Sequence, residues 1–183
     1  MKAQKGFTLT ELIVVSAIVA ILLGIGVPSY RYITNSYRMS GEVNSLLGDL
    51  QYARAEAIKE GQPVTVCTSA DGATCAGGNA WSIGWIVFSD ANGNRTVDAA
   101  TDTVLHVQAP FTGTTPDSFV AAGAVGAVTF NREGFATTVA GFNTTTVRLT
   151  EQSGNGAWTR CLSINPVGMV STMTHVMDPV NCP

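Results

Sequence analysis

The chain has 183 residues and carries ten Lys or Arg against 13 Asp or Glu, which gives a formal net charge of −3 at pH 7. After residue 60, four arginines stand against eight carboxylates, so the acidic excess lies in the second part of the chain. This balance argues against DNA binding, because affinity for DNA comes largely from neutralising phosphates with Lys and Arg.

The chain begins with a short basic leader that ends at Gly6, and an apolar stretch follows from Phe7 to Val27 with a single charge, Glu11. At about 1.5 Å rise per residue, a helix of this length spans about 30 Å, the thickness of a bilayer's hydrocarbon core. The two lysines of the leader favour a cytoplasmic N-terminus. The pattern therefore predicts a single-pass anchor with the rest of the chain outside the inner membrane.

Glu11 is the unusual residue of this anchor, because burying an ionised carboxylate in a bilayer costs about 2–4 kcal/mol or more. A secretory signal peptide is an alternative interpretation. It explains the sequence less well, since no small-x-small cleavage site follows the apolar run and Pro28 leads into more helix. A simple single-pass anchor leaves Glu11 unexplained.

The helical pattern continues beyond the anchor as an amphipathic segment that ends before Gly61 and Pro63. We predict one helix over residues 7–60, kinked or locally melted at Pro28. Its apolar stripe comprises Val43, Leu46, Leu47, Leu50, Ala53 and Ala57.

Residues 62–183 alternate short apolar runs with turn residues, and about 120 residues suffice for a modest core. They predict strands and no second helix. The predicted strands are 64–68, 81–89, 103–109, 127–130, 145–150, 158–165 and 170–173. The expected fold class is α+β, with a long N-terminal helix packed on an antiparallel β-sheet. The expected organisation is a leader (1–6), a membrane half of the helix (7–28), an amphipathic half (29–61) and a head (62–183).

The segment Lys5-Gly-Phe-Thr-Leu-Thr-Glu11 resembles the N-terminal signal of type IV prepilins and type II secretion pseudopilins. The resemblance implies that a prepilin peptidase cuts between Gly6 and Phe7 and that Phe7 is then N-methylated. It also implies that Glu11 pairs with the N-terminal amine of a neighbouring subunit during assembly.

Three head segments resemble the GspH/FimT group, and FimU/FimT-like minor pilins in particular. They are Gly84-Trp-Ile-Val-Phe-Ser-Asp90, Phe130-Asn-Arg-Glu-Gly134 and Cys161-Leu-Ser-Ile-Asn-Pro-Val-Gly168. The resemblance implies a type IV pilin-like fold and a structural role as a minor pilin that helps other minor pilins initiate pilus assembly. Implied partners are the other minor pilins, the major pilin, the prepilin peptidase and the inner-membrane assembly platform. The head would be periplasmic and later part of the pilus at the cell surface.

Two alternatives share the anchor and the fold. One is a pseudopilin of a type II secretion system. The other is a DNA-binding minor pilin for natural transformation, in which a Gly-Arg-x-Arg stretch near the C-terminus is the expected contact. Here Gly168 is present, but Met169 and Ser171 occupy the two arginine positions.

Four cysteines are present, and an oxidising periplasm favours disulfides. Sequence alone leaves three pairings open. We favour Cys67–Cys75, which would close a Gly- and Ala-rich loop, and Cys161–Cys182, since C-terminal disulfides occur in many pilins. Zinc is a weaker alternative, because the cysteine spacings are not those of zinc sites.

In the turn over residues 90–98, side chains with oxygen atoms fall at alternate positions, as the ligands of a calcium loop do. They are Asp90, Asn92, Asn94, Thr96 and Asp98. Arg95 replaces the expected glycine and Thr101 the expected glutamate, and a solvated hairpin turn uses the same residue types. No catalytic motif is present around the two histidines, His106 and His175. We therefore expect neither an enzyme nor a cofactor.

Overall fold

The computed structural model describes residue 6 and residues 8–111, 117–138, 141, 143–151 and 153–182. In this part of the chain one helix, α1 (Leu9–Glu60), precedes nine strands. The strands are β1 (Val64–Thr68), β2 (Trp85–Ser89), β3 (Val104–Gln108), β4 (Ser118–Ala121), β5 (Ala127–Phe130), β6 (Ala136–Thr138), β7 (Thr145–Thr150), β8 (Arg160–Ile164) and β9 (Val170–Thr174).

The helix begins and ends where capping chemistry allows. The hydroxyl of Thr8 accepts a hydrogen bond from the backbone N–H of Glu11 (3.2 Å), which satisfies one of the free N–H groups of the first turn. At the other end Gly61 has a positive φ of 68°, typical of a residue that terminates a helix. The helix is continuous through Pro28, so the alternative of local melting at that residue is wrong for this structure.

The chain divides into two compact units, one up to Arg38 and a second from Met39 onward. The first consists of the apolar part of α1, and its described side chains between Thr8 and Ile33 are exposed. Among the described residues, α1 is the one helix long and apolar enough to cross a membrane. The second unit begins inside the helix, because the last turns of α1 share the core of the head.

Two antiparallel sheets make up the head. One has the strand order β3-β2-β1-β5-β6 and the other β4-β7-β8-β9. The helix contributes a buried stripe, spaced by three and four residues, to a core that includes Trp81, Trp85, Phe119 and Phe130. The buried helical residues are Met39, Val43, Leu46, Leu50, Ala53 and Ala57. The predicted fold class is confirmed, with two sheets in place of the single one that was expected.

The predicted stripe and strands need few corrections. Leu47, predicted to be in the stripe, is only partly buried. The predicted strand 81–89 starts instead with a 3-10 turn at Trp81–Ile83, because Gly84 takes a φ of 96° before β2 begins. Trp158, predicted to start a strand, lies in the turn before β8. The strands β4 and β6 were not predicted.

Candidate assembly site and head surface

Glu11 lies in the first turn of α1, three residues after Thr8. Its backbone N–H is bonded to the Thr8 hydroxyl, and its side chain is exposed in the subunit. A carboxylate in the first turn also interacts favourably with the positive end of the helix dipole. Gly6 is exposed, and Phe7 lies outside the described residues. Glu11 is thus displayed close to the predicted processing site.

The apolar surface of the first unit is uncovered in the isolated subunit. Leu12 is 67% exposed and Ile25 is 70% exposed, although both are large aliphatic side chains. Burying such a side chain is worth about 1.5–3 kcal/mol. A row of such exposed side chains favours burial in a bilayer or against other helices.

Two disulfides close the head. Cys67 in β1 is joined to Cys75, and Cys161 in β8 is joined to Cys182 near the C-terminus. These are the two pairs that we favoured from the sequence. The ring of His175 also contacts the carbonyl of Cys182, at 2.7 Å from Nδ1, so the C-terminal segment is held at two points.

The turn after β2 uses its oxygen atoms to order its own backbone. Asp90 is fully buried, and its carboxylate accepts hydrogen bonds from the backbone N–H groups of Asn94 and Arg95, each at 3.0 Å. The side-chain amides of Asn92 and Asn94 both donate to Asp98, at 2.9 and 2.8 Å. These contacts favour the hairpin-turn interpretation of the segment over the calcium loop.

Arg95 and Asp90 are also linked through two buried hydroxyls. The guanidinium of Arg95 donates to Thr129 Oγ1 (3.1 Å), Thr129 lies 2.8 Å from Thr65 Oγ1, and Thr65 donates to Asp90 (2.7 Å). Because the hydroxyl hydrogen of Thr65 is used in the bond to Asp90, Thr129 is the donor in the bond between the two threonines. The chain of bonds ties the turn to β1 and β5 and satisfies a buried carboxylate, whose burial is otherwise costly.

The Phe130–Gly134 and Cys161–Gly168 segments meet in the folded head. Gly168 lies against the carbonyl of Gly134, where a side chain would overlap it. Arg54 of α1 donates from Nε to the same carbonyl (3.1 Å) and from Nη2 to Val167 O (3.4 Å). The backbone N–H of Ala136 bonds the carbonyl of Pro166 (2.9 Å). One helical arginine therefore joins a turn of each sheet.

The four arginines of the head do not form one basic surface. Arg95, in the β2–β3 turn, donates hydrogen bonds to Thr129 of β5 and Thr137 of β6. Arg132 pairs with the neighbouring Glu133 at 2.7 Å. Leu149 of β7 lies opposite Arg160 of β8. Since cross-strand partners share a face and successive residues alternate, Arg148 and Arg160 are on opposite faces of the sheet.

Sequence reasoning missed Asp49, which lies beside the buried stripe of α1. Its carboxylate accepts a hydrogen bond from the indole N–H of Trp85 (2.7 Å) and lies 3.6 Å from Nε2 of His106. The signal for it was an acidic residue next to Leu50, at the margin of the apolar face. The contact attaches α1 to β2 and β3.

Comparison with known proteins identifies the family. A family model described as "Type II transport protein GspH" matches residues 42–168, more than half of the chain. The chain belongs to the GspH family. A second model, the "Prokaryotic N-terminal methylation motif", matches residues 1–27. This GspH-family chain therefore carries both the head and the N-terminal signal that the sequence indicated.

Curated relatives match over shorter stretches. A fimbrial protein of Pseudomonas aeruginosa is 42% identical over 64 residues, which are 35% of this chain and 41% of that protein. A type IV major alpha-pilin of Moraxella bovis is 54% identical over 46 residues, 24% of this chain and 29% of the pilin. The GspH-family chain thus spans less than half of the length of each of these relatives.

Among solved structures, the fold is similar to that of the type IV minor pilin FimU of Pseudomonas aeruginosa in two crystal forms. The TM-scores are 0.55 and 0.58, with 22% and 21% sequence identity. The matches cover 80% and 84% of this chain and 99% of each FimU chain. At this identity the likeness establishes the shared fold alone.

Proposed function

We propose that this GspH-family protein is a minor type IV pilin that helps to initiate pilus assembly together with other minor pilins. The observation that supports it most directly is the combination of an N-terminal methylation motif with one continuous helix. The first part of that helix exposes its apolar side chains, while its last turns are built into the head core. Such a subunit can move from a bilayer into a bundle of helices without refolding its head.

In this proposal a prepilin peptidase cuts between Gly6 and Phe7, and Phe7 is N-methylated. Glu11 then pairs with the N-terminal amine of a neighbouring subunit. In a low-dielectric surrounding each charge is costly when it is alone, and removing one partner of such a pair typically costs about 3–5 kcal/mol. The pair would therefore set the register at which a subunit enters the filament.

The partners follow from the same role. They are the other minor pilins, the major pilin, the prepilin peptidase and the inner-membrane assembly platform. Before assembly the chain is a single-pass inner-membrane protein with a periplasmic head, and afterwards it is part of the pilus at the cell surface.

A pseudopilin of a type II secretion system is the second candidate. The description of the matching family, a type II transport protein, favours it. DNA binding for natural transformation has less support, because the head is acidic and its arginines are dispersed.

The test is a clean deletion strain in which surface pili are counted by electron microscopy. Secretion of type II substrates and DNA uptake are assayed in the same cells. Loss of pili with normal secretion, restored by the wild-type gene, supports the minor-pilin role. Normal pili with failed secretion would assign the protein to the pseudopilins, and normal pili with failed uptake alone would assign it to DNA uptake.

A further inference from the structure

We propose that the seam between α1 and the free edge of β9 is a docking site for an extended, acidic segment of a neighbouring pilin-class subunit. By pilin-class we mean a chain with the same N-terminal methylation motif, so the class of partner rests on the proposed function. The incoming segment adds to β9 as a further strand. Two clefts define the seam. Ser40, Val43, Asn44, Arg160, Thr172, Met173, Thr174 and Met177 line the first, and Gln51, Arg54, Ala55, Ile58, Gly168, Met169 and Val170 line the second.

The hydrogen bonds at both ends of the β8–β9 hairpin fix which backbone groups face outward. At the turn, the N–H of Asn165 donates to the carbonyl of Met169 (3.0 Å). Beyond the other end, the N–H of His175 donates to the carbonyl of Thr159 (3.3 Å). In an antiparallel ladder, hydrogen-bonded pairs alternate with pairs that are not bonded to each other. Met169 and His175 are six residues apart, an even number, so both bonds predict the same alternation of bonded and non-bonded pairs along β9.

By this alternation Ser171 and Met173 bond to β8. The N–H and C=O groups of Val170 and Thr172 point away from β8, toward the free edge. β9 is the outermost strand of its sheet. The main-chain donors and acceptors of Val170 and Thr172 are thus available to another strand.

The edge of β9 lacks three of the features that usually prevent strand addition, namely charges, prolines and bulges. Natural edge strands carry charges, prolines or bulges. The sequence Val170-Ser-Thr-Met-Thr174 contains no charged residue and no proline, and its five pairs with β8 run without a shift of register. The opposite situation holds for β3, where the register with β2 shifts between Val87 and Phe88. The β9 edge is therefore suited to accept a strand.

The two clefts provide space for the side chains of that strand. Their volumes are about 350 and 400 Å³. Exposed apolar side chains border both: Met177 beside the first, and Ile58 with Met169 beside the second. Alternate side chains of an added strand would point toward α1 and cover this surface.

The charge of the seam selects the partner segment. Arg160 is the charged side chain that lines the first cleft and Arg54 the one that lines the second, and no acidic residue is among the described residues that line either. The rest of the head has an excess of carboxylates. A locally cationic seam on an acidic head complements a segment that carries carboxylates.

The first experiment places a photoreactive amino acid at Met169, in the full-length protein in piliated cells. Met169 is 63% exposed beside the seam. The control position is Val107 on β3 in the other sheet, which is 49% exposed. We expect a cross-link from Met169 to another pilin-class subunit, identified by mass spectrometry, and none to the same subunit from Val107. Absence of an adduct at Met169, or an adduct with lipid or with another class of protein, would overturn the proposal.

The second experiment compares Thr172→Pro with Thr172→Val. Proline removes the outward N–H but no bond to β8, and edge strands tolerate proline at such positions. Valine keeps the N–H and the shape of the side chain. We expect Thr172→Pro to lower the cross-linking yield about tenfold, the effect of one lost hydrogen bond. Thr172→Val should leave the yield within about twofold.

The two proposals fail in different ways. If deletion abolishes pili and both Thr172 variants restore pili and the cross-link equally, the seam proposal is wrong and the minor-pilin role stands. If deletion leaves pili normal, the minor-pilin role is wrong, and the Met169 cross-link decides the seam separately. Equal amounts of both variants in the membrane fraction exclude a folding defect as the cause of a difference.

Discussion

Gly168 lies so close to the carbonyl oxygen of Gly134 that a Cβ at residue 168 would overlap this oxygen. Gly168 also has a positive φ of 77°. The position is therefore closed to any side chain for backbone reasons. The DNA-binding alternative expected a contact stretch that begins at this glycine, but packing against the Phe130–Gly134 turn accounts for the glycine without DNA.

We predict that Gly168→Ala destabilises the protein by about 3 kcal/mol or more, the sum of left-handed strain and overpacking. The measurement is chemical unfolding of the full-length protein in detergent micelles. Gly154→Ala is the matched control, since Gly154 has a φ of 69° with open space around its Cβ position. It should cost about 1–2 kcal/mol, from strain alone. Equal effects of the two substitutions would contradict the close contact.

The bond between Asp49 and Trp85 attaches the helix to the five-stranded sheet. We predict that Asp49→Ala costs about 1–3 kcal/mol, because the buried indole N–H loses a charged acceptor. A double-mutant cycle with Trp85→Phe isolates the pair, and the two substitutions together should cost less than the sum of their separate effects. Additive effects would show that the bond contributes nothing.

The hydroxyl of Thr65 accepts a hydrogen bond from Thr129 and donates one to the buried carboxylate of Asp90. We predict that Thr65→Val, which keeps the shape and removes the hydroxyl, costs about 1–3 kcal/mol. Thr65→Ser is the control that retains the hydroxyl, and it should cost less. A larger loss for Ser than for Val in thermal or chemical unfolding would indicate that the methyl group matters and the hydroxyl does not.

The two disulfides should contribute unequally. Cys67 and Cys75 are 8 residues apart, whereas Cys161 and Cys182 are 21 apart. Chain-entropy arguments give about 2.5 kcal/mol for the shorter loop and about 3.3 kcal/mol for the longer. Replacing both cysteines of a pair by alanine should therefore lower stability more for Cys161 and Cys182. The reverse order, measured by chemical unfolding under oxidising conditions, would contradict this account.

The sequence was most informative where a pattern repeats over a long stretch. The stripe from Val43 to Ala57 and the apolar run before Pro28 predicted α1 nearly to its ends, because helical periodicity accumulates over many turns. The anchor signal around Gly6 and Glu11 depended on a few adjacent residues and led to the family that the methylation-motif match supports.

The sequence was least informative about contacts between distant segments. Gly134 and Gly168 end two separate segments of the sequence, and only the fold brings them together beside Arg54. The sequence likewise did not show that Asp49 bonds a buried tryptophan. The separation of the head into two sheets was likewise hidden, since it depends on which strands pair, and several pairs join segments far apart in the chain.

The most direct test of the account is mass spectrometry of sheared, purified pili, with the membrane fraction of the same cells as the reference. We predict that the pilus fraction contains this chain with N-methylated Phe7 as its first residue. That single peptide tests the cleavage after Gly6, the methylation and the presence of the subunit in the pilus. Recovery of the chain solely from membranes, with residues 1–6 still attached and pili abundant, would contradict the claim that it is a pilus subunit.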